Sequence, residues 1–312
     1  MLSISLCVTG IAWAAEPSKS LAAPQNETKP TEEKDEKKSS ASTPPAAKPH
    51  EQSEAIKAFR KTAVSLTYPS GDLKLPGWIY KPAGDGPFPV VIWNHGSEQR
   101  PTAHPELGKF YTEHGYVLFL PVRHGHGEAP GDYIVALQDK HRAEIDDLTI
   151  VQRKAVELHE VYNRDVVAAV KWIREQPFVD PKRLAISGCS YGGIQTLLAS
   201  EQDLHALAFV VFSPGAMSWA NPELRKREAL AVERARGPMF LLQAKNDYSI
   251  GPSEVLGPLL RDKKGLNQAM LYPAFGETHQ DGHGGFACWE EGIAVWGNDV
   301  LQFLEKAGMQ PK

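Results

Sequence analysis

A Gly-x-Ser-x-Gly pentapeptide constrains the fold of this chain more than any other feature. It occupies residues 188–192, directly after an apolar run at 184–187 and directly before a helix-period segment at 193–200. A strand that turns into a helix this abruptly needs glycine on both sides of the serine, because side chains there would make strand and helix collide. The pattern predicts a strained turn that lifts the Ser190 hydroxyl into a cleft and leaves the Tyr191 N–H free at a helix N-terminus.

Apolar runs typical of buried strands alternate with helix-period segments along the rest of the chain. The runs lie at residues 89–94, 117–120, 184–187, 206–212, 239–243 and 269–272, and the helical segments at 164–176, 193–200, 253–261 and 294–307. A hairpin pattern at 62–80 precedes them. This alternation predicts an α/β fold with a mostly parallel sheet, helices on both faces and a site at the carboxyl ends of the strands. The charged stretch at 133–162 predicts a small helical insertion that caps the site.

A serine hydroxyl is a weak nucleophile at neutral pH, so this interpretation requires a histidine base and a carboxylate later in the chain. Asp247 follows the apolar run at 239–243 through a short polar loop. His283 lies in a Gly-His-Gly-Gly-Phe loop whose small residues let an imidazole reach the serine, and His279 in the same loop is the alternative base. We expect Ser190 as nucleophile, His283 as base and Asp247 as the group that orients it.

The loop after the first buried strand is expected to supply a second oxyanion donor. Residues 93–98 read Trp-Asn-His-Gly-Ser-Glu, and the N–H of Ser97 is the candidate, with His95 shaping the loop. Cys189, beside the serine, is expected to be a packed thiol. Outside the apolar N-terminus the chain has only Cys189 and Cys288, too few for a disulfide framework.

Several of these motifs together resemble one branch of a known superfamily. They are Phe-Pro-Val-Val-Ile-Trp-Asn-His-Gly-Ser at residues 88–97, Arg-His-Gly-His-Gly-Glu at 123–128, Gly-Cys-Ser-Tyr-Gly-Gly at 188–193, Asp247, and Gly-His-Gly at 282–284. Residues 60–308 resemble the dienelactone hydrolase-like and prolyl oligopeptidase-like branch of the α/β-hydrolases. The resemblance implies the α/β-hydrolase fold and cleavage of esters, lactones or peptides through an acyl-enzyme. The turn at residues 188–192 carries Ser190 where dienelactone hydrolases proper carry a nucleophilic cysteine.

The N-terminal part of the chain predicts export. Residues 2–14 are largely apolar, too short to span a bilayer, and end in Ala-Trp-Ala, so residues 1–15 are expected to be a signal peptide. Residues 16–54 are rich in Lys, Glu, Ser, Pro and Ala, a composition typical of a flexible linker. The hydrolase domain is then expected at 55–312, in a periplasmic or secreted protein.

Charge and composition argue against other classes of protein. A net charge of −4, with Lys and Arg scattered through the chain, predicts no nucleic-acid partner, and no second apolar run predicts a membrane span. Two histidine pairs form the candidate metal site, His124 with His126 and His279 with His283, but their spacing does not match a known zinc motif. We expect neither metal nor cofactor.

The reaction that these residues support best is hydrolysis of a small-molecule carboxylic ester. A serine peptidase of the prolyl oligopeptidase-like type is the alternative within the same chemistry. A non-catalytic binding protein of the hydrolase fold is the alternative from another class, although such a protein would be expected to lose one of the three candidate catalytic residues.

Overall fold

The computed structural model describes residues 50–311. The predicted signal peptide and residues 16–49 of the predicted linker lie outside the described residues, and export therefore stays a prediction. Within 50–311, no helix combines the length and the apolar character that crossing a bilayer requires.

The apolar runs form the strands of one mixed sheet. Within residues 50–311 the strands are β1 (Val64–Ser70), β2 (Leu73–Tyr80), β3 (Phe88–Asn94), β4 (Val117–Pro121), β5 (Val179–Cys189), β6 (Ala208–Phe212), β7 (Met239–Ala244) and β8 (Gln268–Tyr272). Their order is β1-β2-β4-β3-β5-β6-β7-β8. The β1–β2 hairpin and the β2–β4 pair are antiparallel, and every pair from β4 to β8 is parallel. The predicted α/β-hydrolase fold is confirmed.

Helices cover both faces of this sheet. In the described part of the chain they are α1 (Glu54–Phe59), α2 (Pro105–Glu113), α3 (Ile134–Glu144), α4 (Leu148–Arg174), α5 (Tyr191–Ser200), α6 (Pro222–Arg234), α7 (Gly251–Asp262), α8 (Phe286–Cys288) and α9 (Glu290–Lys306). The side chains of β3 alternate between the faces. Val90 and Ile92 belong to the apolar cluster that includes residues of α4, α5, α6 and α7, while Val91 and Trp93 belong to the cluster that includes residues of α2 and α9.

The charged stretch at 133–162 is helical, as predicted, but it is not separate from the helix predicted at 164–176. After α3, a single helix of 27 residues runs through both segments as α4. The carboxylate of Asp147 starts it by accepting the N–H groups of Thr149 and Ile150. Residues of its first half pack with α3 in an apolar cluster that includes Tyr191 and Ile194 of α5.

Helix α6 carries a carboxyl group in an unusual environment. Glu228 is completely buried, and neither of its carboxyl oxygens has a hydrogen-bond partner within residues 50–311. Burial disfavours the charged form and raises the pKa of Glu228 to about 8. The folded chain therefore keeps a proton on Glu228 at pH values where the unfolded chain has lost it.

Replacing Glu228 is expected to change how stability depends on pH. Between the ordinary pKa of 4.5 and the raised value of about 8, the unfolded state binds fewer protons than the folded state, so the free energy of unfolding falls as pH rises. Glu228→Gln removes this loss. From pH 5 to pH 8 its free energy of unfolding should therefore rise by a few kcal/mol relative to that of the wild type, at roughly 1.4 kcal/mol per pKa unit. Urea denaturation at both pH values measures the difference. The exposed Glu233→Gln on the same helix is the control, and equal pH dependence of both variants would contradict the assignment.

Candidate active site

The Ser190 turn is as tight as the glycine pattern predicts. Ser190 connects β5 to α5 with φ 59° and ψ −119°, a conformation that few residues other than glycine adopt. A Cβ on Gly192 would lie 1.8 Å from the carbonyl oxygen of Asn94, and one on Gly188 would lie 2.5 Å from that of Gly192. Glycine is therefore required at both positions by the close approach of α5 to the end of β3.

Asp247 and His283 meet although 35 residues separate them along the chain. Asp247 follows the end of β7, and His283 lies in a π-helical turn at Asp281–Gly285. Both are buried, and Nδ1 of His283 lies 2.7 Å from Oδ1 of Asp247. Because a carboxylate can only accept, Nδ1 carries the proton and Nε2 is left with its lone pair. This Nε2 is buried and has no hydrogen-bond partner in the described part of the chain.

Ser190 and His283 line one cleft of about 860 Å³. Within residues 50–311 no hydrogen bond joins the Ser190 hydroxyl to His283, and such bonds are often long before substrate binds. The structure thus brings the predicted nucleophile and base to one cleft, with Asp247 behind the base.

Asp247 is held by groups that the sequence did not single out. Its Oδ2 accepts the side-chain N–H of Gln243 at 2.7 Å, and its Oδ1 accepts the backbone N–H of Tyr248 at 2.6 Å. Gln243 is itself fixed, because its Oε1 accepts the Ser253 hydroxyl at 2.7 Å. The only sequence signal for Gln243 is a polar residue within the buried strand β7.

His279, the alternative base, has a different environment. It is exposed, and its Nδ1 lies 2.9 Å from the backbone oxygen of Asn246. It has no contact with Asp247 comparable to that of His283. Gly282 permits the loop to adopt this arrangement, since a Cβ there would lie 2.4 Å from Oδ1 of Asn246. Of the two histidines in the loop, the geometry of a base fits His283.

The loop that carries Ser97 is held by a buried histidine and a buried arginine. Nε2 of His95 accepts the backbone N–H of Arg123 at 3.2 Å, so Nδ1 carries the proton and donates to the Gly96 carbonyl at 3.0 Å. Nη2 of Arg123 donates to the same carbonyl at 2.7 Å. Burial and the Arg123 charge hold the pKa of His95 well below its ordinary value, so the imidazole is neutral. His95 shapes this loop.

The next two carbonyl groups of the loop are also occupied. The Tyr133 hydroxyl donates to the Ser97 carbonyl, and Nδ1 of His126 lies 3.0 Å from that of Glu98. In a trans peptide the N–H points opposite to the C=O, so binding of the Gly96 carbonyl by Arg123 turns the Ser97 N–H away from the protein interior. The N–H groups of Ser97 and Tyr191 make no hydrogen bond among the described residues and are available to an anionic oxygen.

One wall of the cleft differs from the prediction. Residues 133–162 are predicted to cap the site, but of the lining residues in the described chain none comes from 133–162. Helix α3 instead packs on the Tyr191 side chain, whose hydroxyl donates to Gln138 at 2.6 Å. The charged stretch is helical as predicted, but its composition carried no information about which side of Ser190 the helix would cover.

Residues 50–52, which composition assigned to the linker, form part of the cleft wall. The ring of His50 stacks on Trp289 with 4.2 Å between centroids, and the neighbouring Ser53 hydroxyl donates to Glu290 at 2.8 Å. The Gln52 amide donates to the buried carboxylate of Glu106. Lys57 of α1 and Arg60, which directly follows α1, continue this wall.

The histidines considered as metal ligands make separate contacts. His124 pairs with Asp165 at 2.6 Å, His126 contacts the Glu98 carbonyl, and His283 pairs with Asp247. In residues 50–311 no group of three His, Cys, Asp or Glu side chains has the arrangement of a metal site.

Comparison with known proteins matches part of the chain to a family model. Residues 152–249, which include Ser190 and Asp247, match the model of the prolyl oligopeptidase family. The chain is 30% identical over 186 residues to a polyketide transferase, grgF, of Penicillium sp., covering 57% of this chain and 56% of that protein. It is 28% identical over 127 residues to the uncharacterised peptidase YuxL of Bacillus subtilis, covering 38% of this chain and 17% of that protein. The chain therefore spans about half or less of these relatives.

Solved structures of three hydrolases share the fold. The acylaminoacyl peptidase of Pyrococcus horikoshii superposes with a TM-score of 0.57 at 18% identity, over 80% of this chain and 42% of that one. An esterase of Thermogutta terrifontis gives 0.54 at 17% identity, over 81% and 97%. A putative dienelactone hydrolase of Klebsiella pneumoniae gives 0.55 at 20% identity, over 78% and 98%. At these identities the likeness concerns the fold.

The two histidines of the loop are expected to differ in their effect on Ser190. A fluorophosphonate probe reacts with a serine only when a base removes the hydroxyl proton. His283→Gln should lower the rate of Ser190 labelling at least a hundredfold, because a glutamine cannot accept that proton, while His279→Gln should leave the rate within about threefold. Intact-mass measurement over time gives both rates. A larger loss in His279→Gln would assign the base to His279.

Proposed function

We propose that this chain, which has the α/β-hydrolase fold of the prolyl oligopeptidase-like and dienelactone hydrolase-like branch, is a serine hydrolase that cleaves a carboxylic ester. One observation carries the proposal. The buried Asp247–His283 pair leaves Nε2 of His283 unpartnered on the cleft that Ser190 also lines. A buried nitrogen without a partner costs free energy, and on a cleft that also presents a serine this nitrogen is placed to take the serine proton.

In the proposed reaction, His283 takes the Ser190 proton on Nε2 while the hydroxyl oxygen attacks the ester carbonyl. The C–O bond to the alcohol then breaks, and His283 returns the proton to the departing oxygen. Water cleaves the resulting acyl-enzyme, with His283 again as the base. Asp247 stabilises the imidazolium in both steps, and Gln243 and the Tyr248 N–H keep its carboxylate in position.

The tetrahedral intermediates carry a negative charge on the former carbonyl oxygen. We assign its binding to the N–H groups of Ser97 and Tyr191, and the helix dipole of α5 adds to the second of these. Donors of this kind act most strongly when they need not reorient during the reaction. The contacts of Arg123, His95 and Tyr133 hold the Ser97 loop in this way.

A peptide substrate is the second candidate, and the match of residues 152–249 to the prolyl oligopeptidase family favours it. Esters and peptides require the same nucleophile, base and oxyanion donors. They differ in the leaving group, because an amine must be protonated before it departs. The substrate assay therefore has to compare both classes directly.

The purified protein is expected to hydrolyse p-nitrophenyl acetate, butyrate or octanoate and to keep this activity in EDTA. Ser190→Ala should lower kcat at least a thousandfold, since the nucleophile is lost, with the fold intact by circular dichroism. Acyl-alanine p-nitroanilides are assayed in parallel. Ester turnover that survives in Ser190→Ala would refute the proposal. Turnover of the anilides alone would change the assigned substrate class from esters to peptides. Fluorophosphonate labelling of Ser190 without any turnover would support a serine enzyme that acts on another substrate.

The hydroxyl of Tyr133 provides a test of the oxyanion loop. Tyr133→Phe releases the Ser97 carbonyl and should lower kcat about tenfold with KM nearly unchanged, because the oxyanion contact forms mainly in the transition state. Tyr272→Phe is the control, since the Tyr272 hydroxyl donates to Asp299 on α9, away from this loop. Steady-state kinetics of both variants on one ester decide the case. Equal losses would mean that the tyrosine acts on stability and not on the loop.

A further inference from the structure

A second set of reactive side chains lines the same cleft and has no part in the mechanism above. It consists of Glu98, His104 and Cys288. The three come from different parts of the chain: the loop after β3, the residue before α2, and the last residue of α8. They supply a carboxylate, an imidazole and a thiol. In cysteine nucleophiles an imidazole activates the thiol, and a third group such as a carboxylate orients the imidazole.

His104 connects the other two groups. Its Nε2 lies 3.8 Å from Oε1 of Glu98. His104 and Cys288 line the same cleft, and their side chains interact electrostatically there. The backbone of His104 has φ 40°, the left-handed region that non-glycine residues seldom occupy. Strained residues of this kind persist where the surrounding structure holds them, and they concentrate at functional sites.

Electrostatics make the His104 imidazole a stronger base than an ordinary histidine. Burial alone would lower the pKa of His104, but the Cys288 thiol and the Glu98 carboxylate raise it well above its ordinary value. In turn, His104 holds the pKa of Glu98 below its ordinary value although burial acts in the other direction. An imidazole that gains a proton so readily can take it from a neighbouring thiol.

The two cysteines of the described chain differ in access to the cleft. Cys288 is partly exposed and lies five residues after His283, whereas Cys189 is buried next to Ser190. Both are free thiols. Burial raises the pKa of the Cys189 thiol well above its ordinary value, so Cys189 stays protonated and unreactive.

We propose that Cys288 is a covalent modification site for soft electrophiles, with His104 as the base that activates its thiol and Glu98 as the carboxylate that stabilises the imidazolium. The class of ligand is an α,β-unsaturated carbonyl compound. An S–C bond forms between Sγ and the β-carbon as the C=C π bond breaks. The proton that His104 took from the thiol passes to the α-carbon, so no oxidant or reductant is consumed.

An adduct on Cys288 occupies the cleft that Ser190 faces. Modification therefore slows the access of any substrate to Ser190, whichever ester or peptide that substrate is. The slower access to Ser190 rests on the proposed function only in part, because the reactivity of Ser190 towards a fluorophosphonate can be measured without a substrate.

N-Ethylmaleimide serves as the probe, and peptide mass mapping gives the labelling rate of each cysteine in the native full chain. Cys288 should be labelled first, and His104→Gln should lower its rate at least tenfold because the base is lost. The exposed His114→Gln at the end of α2 is the matched control and should keep the wild-type rate. Glu98→Gln should slow labelling by a smaller factor, which gives a second measurement if His104→Gln fails to fold.

The same samples then react with the fluorophosphonate. Labelled wild type should lose Ser190 reactivity in proportion to the adduct, while Cys288→Ala keeps whatever reactivity it has after the same treatment. Labelling of Cys189 in place of Cys288, or an equal Cys288 rate in wild type and His104→Gln, would overturn the site. Absence of ester turnover in every sample, with rapid Cys288 labelling, would refute the proposed function and leave this site standing.

Discussion

The site depends on a close backbone approach between the end of β3 and the start of α5. Gly192 lies against the Asn94 carbonyl with no room for a side chain, and Ser190 is left in its strained conformation as a result. The cost of that conformation is met by the packing of a sheet whose central strands are buried on both faces. The same approach sets the loop after β3 beside Ser190, so the turn and the loop that carries Ser97 form as one arrangement.

A second constraint is the burial of charged and polar groups at the site. Asp247 and His283 are buried, and a buried charge is tolerated only with partners that satisfy it. Asp247 has three, in His283, Gln243 and the N–H of Tyr248. Nε2 of His283 has none among the described residues, and neither do the carboxyl oxygens of Glu228 on α6. His283 lines the cleft and is the base in the proposed function, whereas Glu228 is held neutral by its raised pKa.

Two sets of reactive side chains line the cleft. Ser190 and His283 belong to one set, with Asp247 behind His283, and Cys288, His104 and Glu98 form the other. Glu98 also takes part in the loop that carries Ser97, because its carbonyl contacts His126 while its side chain pairs with His104. His50, Glu51 and Gln52, which composition had assigned to the linker, line the cleft as well.

The sequence by itself determined the order of the strands, the helices that correspond to α3, α4, α5, α7 and α9, the glycine-flanked turn at Ser190 and the candidates Asp247 and His283, because periodicity and glycine requirements are local. Only the tertiary structure decided which loop histidine pairs with Asp247, since His279 and His283 are four residues apart and equally polar. It also decided that α3 covers Tyr191 instead of the cleft, that Gln243 and Arg123 hold the site, and that His104 pairs with Glu98. Each of these depends on contacts between segments distant in the chain, and no local pattern encodes which segments pack together.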